Sequence, residues 1–505
     1  MQEQLPGDAA VERTGTYSQG ELRSKRGSPG GQRVLENRTR SSSRNFPGRT
    51  VMLAAAHYME SDPLQAPRTL IVGLGATGLS CARFLARRGV EVAVTDSRRQ
   101  PPALTDMQKE LSDVPLFVGG FDADAFARAE RIVVSPGVSL REPLLMDAQR
   151  RGIEIIGDIE LFARTAAAPV VAITGSNGKS TVTTLVGAMA SYAGRNVRVG
   201  GNLGTPALDL IHEQEPDLYV LELSSFQLET VNSLRCQAAS VLNVSADHMD
   251  RYNSLDSYVR AKQQIYSGAK VQVVNRDDPA ASALACGKGL TTSFGLNEPD
   301  AQDFGIENSA AGHWIVKGDE RWLAVADVRM PGRHNLANAL AALALGDAVG
   351  LPRQAMLHVL REFPGLPHRT QWVAERQGVR WFNDSKATNI GAALAAIRGL
   401  DGPLVLIAGG LGKGADFGEL AAGMGEHVKA VVLLGEAAAE IEQALSGRVR
   451  TEHAENMTDA VRRAAALAVA GDTVLLSPAC SSFDMFKGYQ ERGELFMRAI
   501  QELAA

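Results

Sequence analysis

The residues with the clearest chemical content are Gly175-Ser176-Asn177-Gly178-Lys179-Ser180-Thr181. An apolar run from Pro169 to Ile173 leads into them, and a helix-compatible run follows from Val182. Glycines let backbone N–H groups close on anionic oxygens, a lysine neutralises charge, and a hydroxyl can hold Mg²⁺. That order implies a nucleoside triphosphate. The loop departs from the usual G-x-x-x-x-G-K-[ST] pattern, because Ile173 stands where the first glycine would be and the loop reads G-x-x-G-K-S-T. The alternative is a chance glycine turn before a helix. The coincidence of strand, lysine and paired hydroxyls argues against it.

Other reactive groups follow apolar strands. Glu222 ends the run Tyr219-Val220-Leu221, just before Leu223-Ser224-Ser225-Phe226-Gln227. A carboxylate at a strand end beside a phosphate loop suits Mg²⁺, the alternative being a solvated loop acid. His248, in Asp247-His248-Met249-Asp250-Arg251-Tyr252, comes after the next strand and offers an imidazole to a second metal ion. Lys262 sits in the helical pattern Tyr258 to Tyr266, where spacing alone reads as a solvated face. Asn335 and Asn338 share one face at the start of a helix and suit either an adenine edge or a helix cap. Arg369, in Gly365-Leu366-Pro367-His368-Arg369, could reach a γ-phosphate across a domain cleft. Asn383-Asp384-Ser385-Lys386-Ala387-Thr388-Asn389 gathers an acid, a base, hydroxyls and amides. Lys386, Lys413 in a glycine turn, and the serine-rich turn Ser477-Pro478-Ala479-Cys480-Ser481-Ser482-Phe483-Asp484 after the last strand make an anion pocket suited to a small carboxylate.

The elements that must position these groups alternate strand and helix, which predicts mostly parallel sheets. Thr69 to Val72 reads as a buried strand, Gly73-Leu74-Gly75-Ala76-Thr77-Gly78 as a G-x-G-x-x-G turn, and Leu79 to Arg88 as a helix. A second strand, Val90 to Thr95, ends at Asp96. This is a dinucleotide-type fingerprint, and it keeps a nicotinamide dehydrogenase open as a rival; yet its glycines specify only close approach to a pyrophosphate, which UDP also carries. Ile132 to Val134 ends in Ser135-Pro136-Gly137, again at the ligand-binding end of a strand. The expected organisation is an α/β chain with a disordered extension (1–64), a Rossmann-like domain (65–157), a central P-loop-ATPase-like parallel sheet (158–364) and a C-terminal Rossmann-like domain (365–505).

Bulk properties agree with a globular enzyme. At 505 residues, net charge −5 and 45% hydrophobic content, nothing asks for nucleic acid, and no apolar run approaches the ~18 residues of a membrane span. Cys81, Cys236, Cys286 and Cys480 are scattered without a C-x-x-C pair, so reduced thiols in the cytoplasm are expected. The first fifty residues are rich in Arg, Ser and Gly and cannot bury a core. Their acids, Glu3 to Glu36, argue against a transit peptide; a nucleic-acid-binding arm and an upstream start before Met52 or Met59 both stay open.

Taken together, TGSNGKST, LELSSFQL, LNVSADHMDRY, GRHNLANA, GLPHR, WFNDSKATN and SPACSSFDMFKGYQERG resemble the Mur ligases of peptidoglycan synthesis, in the family's order from about Arg68 to the C-terminus. The NDSKATN loop and SPAC tail resemble the D-glutamate-adding branch. The resemblance implies that ATP phosphorylates the carboxylate of UDP-N-acetylmuramoyl-L-alanine and that the D-glutamate amine attacks the acyl phosphate. It implies that Gly175, Asn177, Gly178, Lys179, Ser180 and Thr181 hold ATP phosphates, with Asn335, Asn338, His368, Arg369 and Asp384 on the nucleotide. It further implies two Mg²⁺ ions on Ser180, Glu222, His248 and Lys262, the last carbamylated by CO₂ into a carboxylate-like ligand. Thr388, Lys413, Ser482, Phe483 and Tyr489 would surround D-glutamate, and Thr77, Asp96, Ser97, Arg98, Ser135, Gly137 and Asn202 the UDP substrate. A cytoplasmic monomer with neither membrane nor nucleic-acid partner is expected. A non-catalytic nucleotide-binding protein is the remaining alternative, and the intact lysine, hydroxyl, acid and histidine set argues against it.

Overall fold

Among the described residues, three sheets follow one another in sequence order. The computed structural model describes residues 68–503 except 250, 286–288, 301 and 311; the expected disordered extension and Cys286 lie outside the described residues. All described residues fall within one unit, Met52–Ala505.

The first sheet holds β1 (Thr69–Val72), β2 (Val92–Asp96), β3 (Leu116–Val118), β4 (Arg131–Val134) and β5 (Glu154–Ile156) in the order β3-β2-β1-β4-β5. All its pairings are parallel. Strands this apolar have both faces covered, as parallel sheets require. Thr69, Leu70, Ile71 and Val72 are all buried.

The second sheet is larger. Its strands are β6 (Val170–Thr174), β7 (Val197–Gly201), β8 (Leu218–Glu222), β9 (Ala238–Val241), β10 (Val271–Asn275), β11 (Leu290–Phe294), β12 (Phe304–Ser309), β13 (Gly312–Lys317) and β14 (Glu320–Ala324). They run in the order β14-β13-β12-β11-β10-β9-β6-β8-β7. The expected parallel pattern covers β7 to β12, whereas β12-β13-β14 is an antiparallel meander. Gly318, at positive φ, lies in the short turn between β13 and β14 that antiparallel neighbours permit.

In the third sheet, β15 (Gln371–Arg376), β16 (Val379–Asn383), β17 (Leu404–Gly409), β18 (Val428–Leu434), β19 (Arg450–His453) and β20 (Thr473–Leu476) run in the order β15-β16-β20-β17-β18-β19. Among the described residues of this sheet, only β15 pairs antiparallel.

One apolar cluster runs from Ile71 and Val94 through Ile159 and Phe162 to Tyr219 and Leu221, joining the first sheet to one face of the second. The other face is covered by the helices Lys179–Tyr192 and Arg333–Ala348. Because β6 lies between β8 and β9, the loops after these strands emerge side by side at the carboxyl edge, where open α/β sheets bind ligands. Register puts Ile173 opposite Glu222 and Thr174 opposite Val241.

Candidate functional site

The phosphate-type loop is shaped by contacts only glycine allows. Gly175 has φ 148° and Gly178 φ 83°, and a Cβ on Gly178 would stand 2.4 Å from Asn338 Oδ1. Gly178 is also the N-cap of the helix Lys179–Tyr192, so the positive end of that helix faces the loop. Asn243, after β9, braces the turn: its Oδ1 accepts from Asn177 N at 2.8 Å and its Nδ2 donates to Asn177 O at 3.0 Å.

Positive charge converges here. Lys179 Nζ donates to Gly175 O at 2.7 Å and Ser176 O at 2.9 Å. Lys262 Nζ donates to the same Gly175 O at 2.9 Å and lies 4.3 Å over the Tyr258 ring. Arg369, from the third sheet's segment, donates to Ser180 Oγ at 2.7 Å. Lys386 lies 4.0 Å over the Tyr489 ring and lines the same cleft. Burial is the first cause that pulls all four pKa values down; Lys179 adds to the fall at Lys262, and Lys386 comes to about 8. The solvated-face reading of Lys262 is therefore corrected: the side chain is only 2% exposed.

Acids and the histidine flank this cluster. Glu222 is 3% exposed, not a solvated loop acid; Oε1 accepts from Asn202 Nδ2 at 2.7 Å, and buried Oε2 has no hydrogen-bond partner among the described residues. His248 adopts φ 58°, edge-on to Phe226 at 4.9 Å, and lines the cleft with Asp247. Glu222, with this buried carboxylate oxygen, lines the same cleft as Ser180 and His248, and these are oxygen and nitrogen donors of the kind that Mg²⁺ accepts. Among the described residues, no three His, Cys, Asp or Glu side chains cluster as a metal site.

Two cavities meet at the loop. The larger, about 880 Å³, is lined by Lys179, Ser180, Asn202, Glu222, His248, His368, Arg369, Thr388, Lys413 and Tyr489, among others. The smaller, about 260 Å³, reaches Asn335, Asn338, Phe294 and Asp384. Asn335 Nδ2 donates to Pro331 O at 2.7 Å and Oδ1 accepts from Asn338 Nδ2 at 3.3 Å, so neither amide caps the helix, whose N-cap Gly332 has no side-chain cap bond. Asp384 accepts from Thr370 N and Ser477 Oγ, and burial pushes its carboxyl up to about 7. Asn383 Nδ2 lies 3.0 Å from His368 Nδ1.

The G-x-G-x-x-G turn is shaped by close contacts of its own. A Cβ on Gly78 would meet Gly73 O at 2.0 Å, whereas one on Gly75 would meet nothing within 4 Å. Gly75 is thus the position a ligand can approach. Asp96 accepts from Leu74 N at 2.7 Å and pairs with both Nε and Nη2 of Arg98. Arg98 and Leu74 N thus hold this carboxylate at the end of β2. Ser135 Oγ donates to Gly73 O at 2.8 Å. Thr77 opens the helix Ala76–Ala86, Ser97 follows β2, and Gly137 is exposed after β4.

Of the remaining expected residues, Ser482 is buried and Phe483 is 68% exposed; neither lines the large cleft. Lys386, the base expected of an anion pocket, lines both cavities, and Asn243, Asp247 and Asn389, to which sequence reasoning gave no individual role, line one or the other. Asn389 Nδ2 reaches both Asn177 Oδ1 at 3.3 Å and Asp247 Oδ2 at 3.2 Å. The signal was present, since all four lie within loops already recognised.

Three family models match in order: a Mur ligase MurD-like N-terminal domain at residues 67–157, a Mur ligase middle domain at 173–346, and a Mur ligase glutamate ligase domain at 368–480. The UDP-N-acetylmuramoylalanine--D-glutamate ligase of Nitrosococcus oceani is 53% identical over 450 residues, 88% of this chain and 99% of that protein. The ligase of the same name from Pseudomonas aeruginosa is 53% identical over 86% of this chain and 98% of its own. Among solved structures, a UDP-N-acetylmuramate-alanine ligase from Thermotoga maritima superposes with TM-score 0.55 at 20% identity, covering 87% of this chain and all of that one; this likeness shows the fold alone. With the three models matched in chain order and two bacterial ligases sharing over half their residues with it, the chain belongs to the Mur ligase family.

Proposed function

We propose that this chain joins D-glutamate to UDP-N-acetylmuramoyl-L-alanine at the expense of ATP, through an acyl phosphate. The observation that carries this is the convergence of Lys179, Lys262, Arg369 and Lys386 on one glycine loop beside Glu222, with burial lowering every one of the four pKa values. So many partly desolvated cations are poorly compensated until a polyanion such as a triphosphate is bound. The D-glutamate ligases to which the chain is similar direct the choice of substrates.

In this reading Gly175, Asn177, Gly178 and Thr181 cradle the phosphates while Lys179 and Arg369 neutralise charge on the transferring group. Asn335, Asn338, His368 and Asp384 engage the nucleotide. The alanine carboxylate oxygen attacks the γ-phosphorus and ADP leaves. The D-glutamate amine then adds to the acyl carbon, and the tetrahedral adduct expels phosphate and loses a proton. Thr388, Lys413 and Tyr489, with Ser482 and Phe483 on the adjoining loop, are proposed for D-glutamate; Thr77, Asp96, Ser97, Arg98, Ser135, Gly137 and Asn202 for the UDP portion.

Ser180, Glu222 and His248 would hold Mg²⁺, with Lys262 as a carbamate; the ion supplies positive charge to phosphate oxygens. Carbamylation is supported by burial and by Lys179, which shares the Gly175 carbonyl with Lys262 and so favours its neutral amine. The ammonium gives up one proton to become the neutral amine, which adds CO₂ and loses a second proton, exchanging a buried cation for an anion. We also read domain boundaries at 157/158 and 364/365, with Rossmann-like first and third domains. A monomer working in the cytoplasm completes the proposal.

The test is phosphate release from ATP and Mg²⁺ with UDP-N-acetylmuramoyl-L-alanine present and D-glutamate added or withheld. Release that requires both supports the reading; ATP binding without release under any combination would overturn it.

A further inference from the structure

Arg251 follows His248 by three residues, and its main chain closes the same turn: Arg251 N and Tyr252 N donate to His248 O at 2.9 and 3.1 Å. Its side chain, however, leaves that loop. Nη1 donates to Pro136 O at 2.6 Å, and Nη2 donates to Val138 O at 3.1 Å and to Glu229 Oε2 at 3.0 Å. The guanidinium lies 4.1 Å over the Phe226 ring, which also meets the His248 ring. The Arg251 side chain is 13% exposed. Pro136 and Val138 flank Gly137 in the loop after β4, whose first residue, Ser135, braces Gly73 of the glycine turn.

We infer that Arg251 is a positioning residue for the UDP substrate: it holds the Ser135–Val138 wall of that site in fixed register with the His248 turn. The argument is one of donor geometry. The loop turns two carbonyls outward, and a planar fork of five N–H donors can satisfy both while stacking and meeting a carboxylate; a lysine ammonium cannot do all of this at once. Arg141 adds a second tie between the same two loops, donating to Asn253 Oδ1 and Arg251 O. A clamp at the wall, rather than in the phosphate loop, should act on one ligand and spare the other. This inference rests on the assignment of the UDP portion to the glycine turn.

The test is equilibrium binding to the full chain, without catalysis, of UDP-N-acetylmuramoyl-L-alanine and, separately, of a non-hydrolysable ATP analogue. For Arg251→Met, which keeps apolar contact with Phe226, affinity for the UDP ligand should fall about 10- to 100-fold, the effect of losing charge-assisted bonds to the loop. Affinity for the ATP analogue should stay within about twofold, and Arg251→Lys should fall between wild type and Arg251→Met. Unchanged UDP-ligand affinity in both variants, or a parallel loss of both ligands, would overturn the inference. If Arg251→Met does not fold, Arg251→Lys, which keeps the charge opposite Glu229, decides by the same criterion. Failure of the wild-type chain to bind the UDP ligand would instead overturn the functional reading beneath it.

Discussion

Asp158 offers a prediction whose size follows from the structure. It opens the helix Asp158–Ala163 where the first sheet hands over to the second, and it is 2% exposed. Oδ2 accepts from Gln227 Nε2 at 2.9 Å, and Gln227 Oε1 accepts from Ser224 N, so the orientation of the amide is fixed. Burial pushes the carboxyl from its ordinary 3.8 up to about 6. A raised acid favours the folded state in its protonated form. Its contribution is therefore full below about pH 4, falls as pH rises, and is gone above about pH 6. The difference of ~2 pH units corresponds to about 3 kcal/mol. Asp158→Asn keeps an acceptor for Gln227 and removes the titration. Relative to wild type, the variant should gain about 1.4 kcal/mol between pH 5 and pH 8, or about 3–6 °C in Tm. Any constant cost of burying the new NH₂ group cancels, because only the change with pH is read. Paired thermal unfolding of both proteins at four pH values measures it. A difference constant to within about 1 °C across that range would show that Asp158 titrates normally, and would refute the reasoning.

Three further outcomes follow from the same structure. Gly78→Ala should destabilise the first sheet by about 3 kcal/mol, since its Cβ would stand 2.0 Å from Gly73 O, whereas Gly75→Ala should unfold like wild type yet bind the UDP ligand more weakly; equal Tm values for the two variants would contradict this. Lys179→Ala should lower kcat at least ~10³-fold through lost charge at the transferring phosphoryl group, and near-normal kcat would exclude that role. Lys262→Ala should be inactive and partly restored by short carboxylic acids, while full activity without them would show that no carbamate is needed.

The loops were legible because local patterns specify them. G-x-x-G-K-S-T after an apolar strand, and G-x-G-x-x-G before a helix, encode backbone conformations that need few partners. Glu222 was legible as a strand end. Its burial was not, since that depends on Asn202 and on a strand order, β9-β6-β8, that no local spacing records. Lys262 shows the limit most plainly. Helical periodicity says which residues share a face, not what covers it, and here the cover includes Tyr258 and the Gly175 carbonyl, the latter 87 residues away. The antiparallel meander β12 to β14 was hidden for a related reason: alternating patterns do not give strand direction. Asp247 and Asn389 lay inside recognised motifs, but only the assembled cleft distinguishes them from their polar neighbours.

The central claim is that the substrate carboxylate is itself phosphorylated. UDP-N-acetylmuramoyl-L-alanine carrying ¹⁸O in its alanine carboxylate, turned over with ATP and D-glutamate, tests it by mass spectrometry of the released phosphate. An acyl phosphate breaks at the acyl carbon–oxygen bond, so each phosphate should carry one oxygen from the substrate carboxylate. Phosphate without label, or label recovered in AMP, would contradict the account.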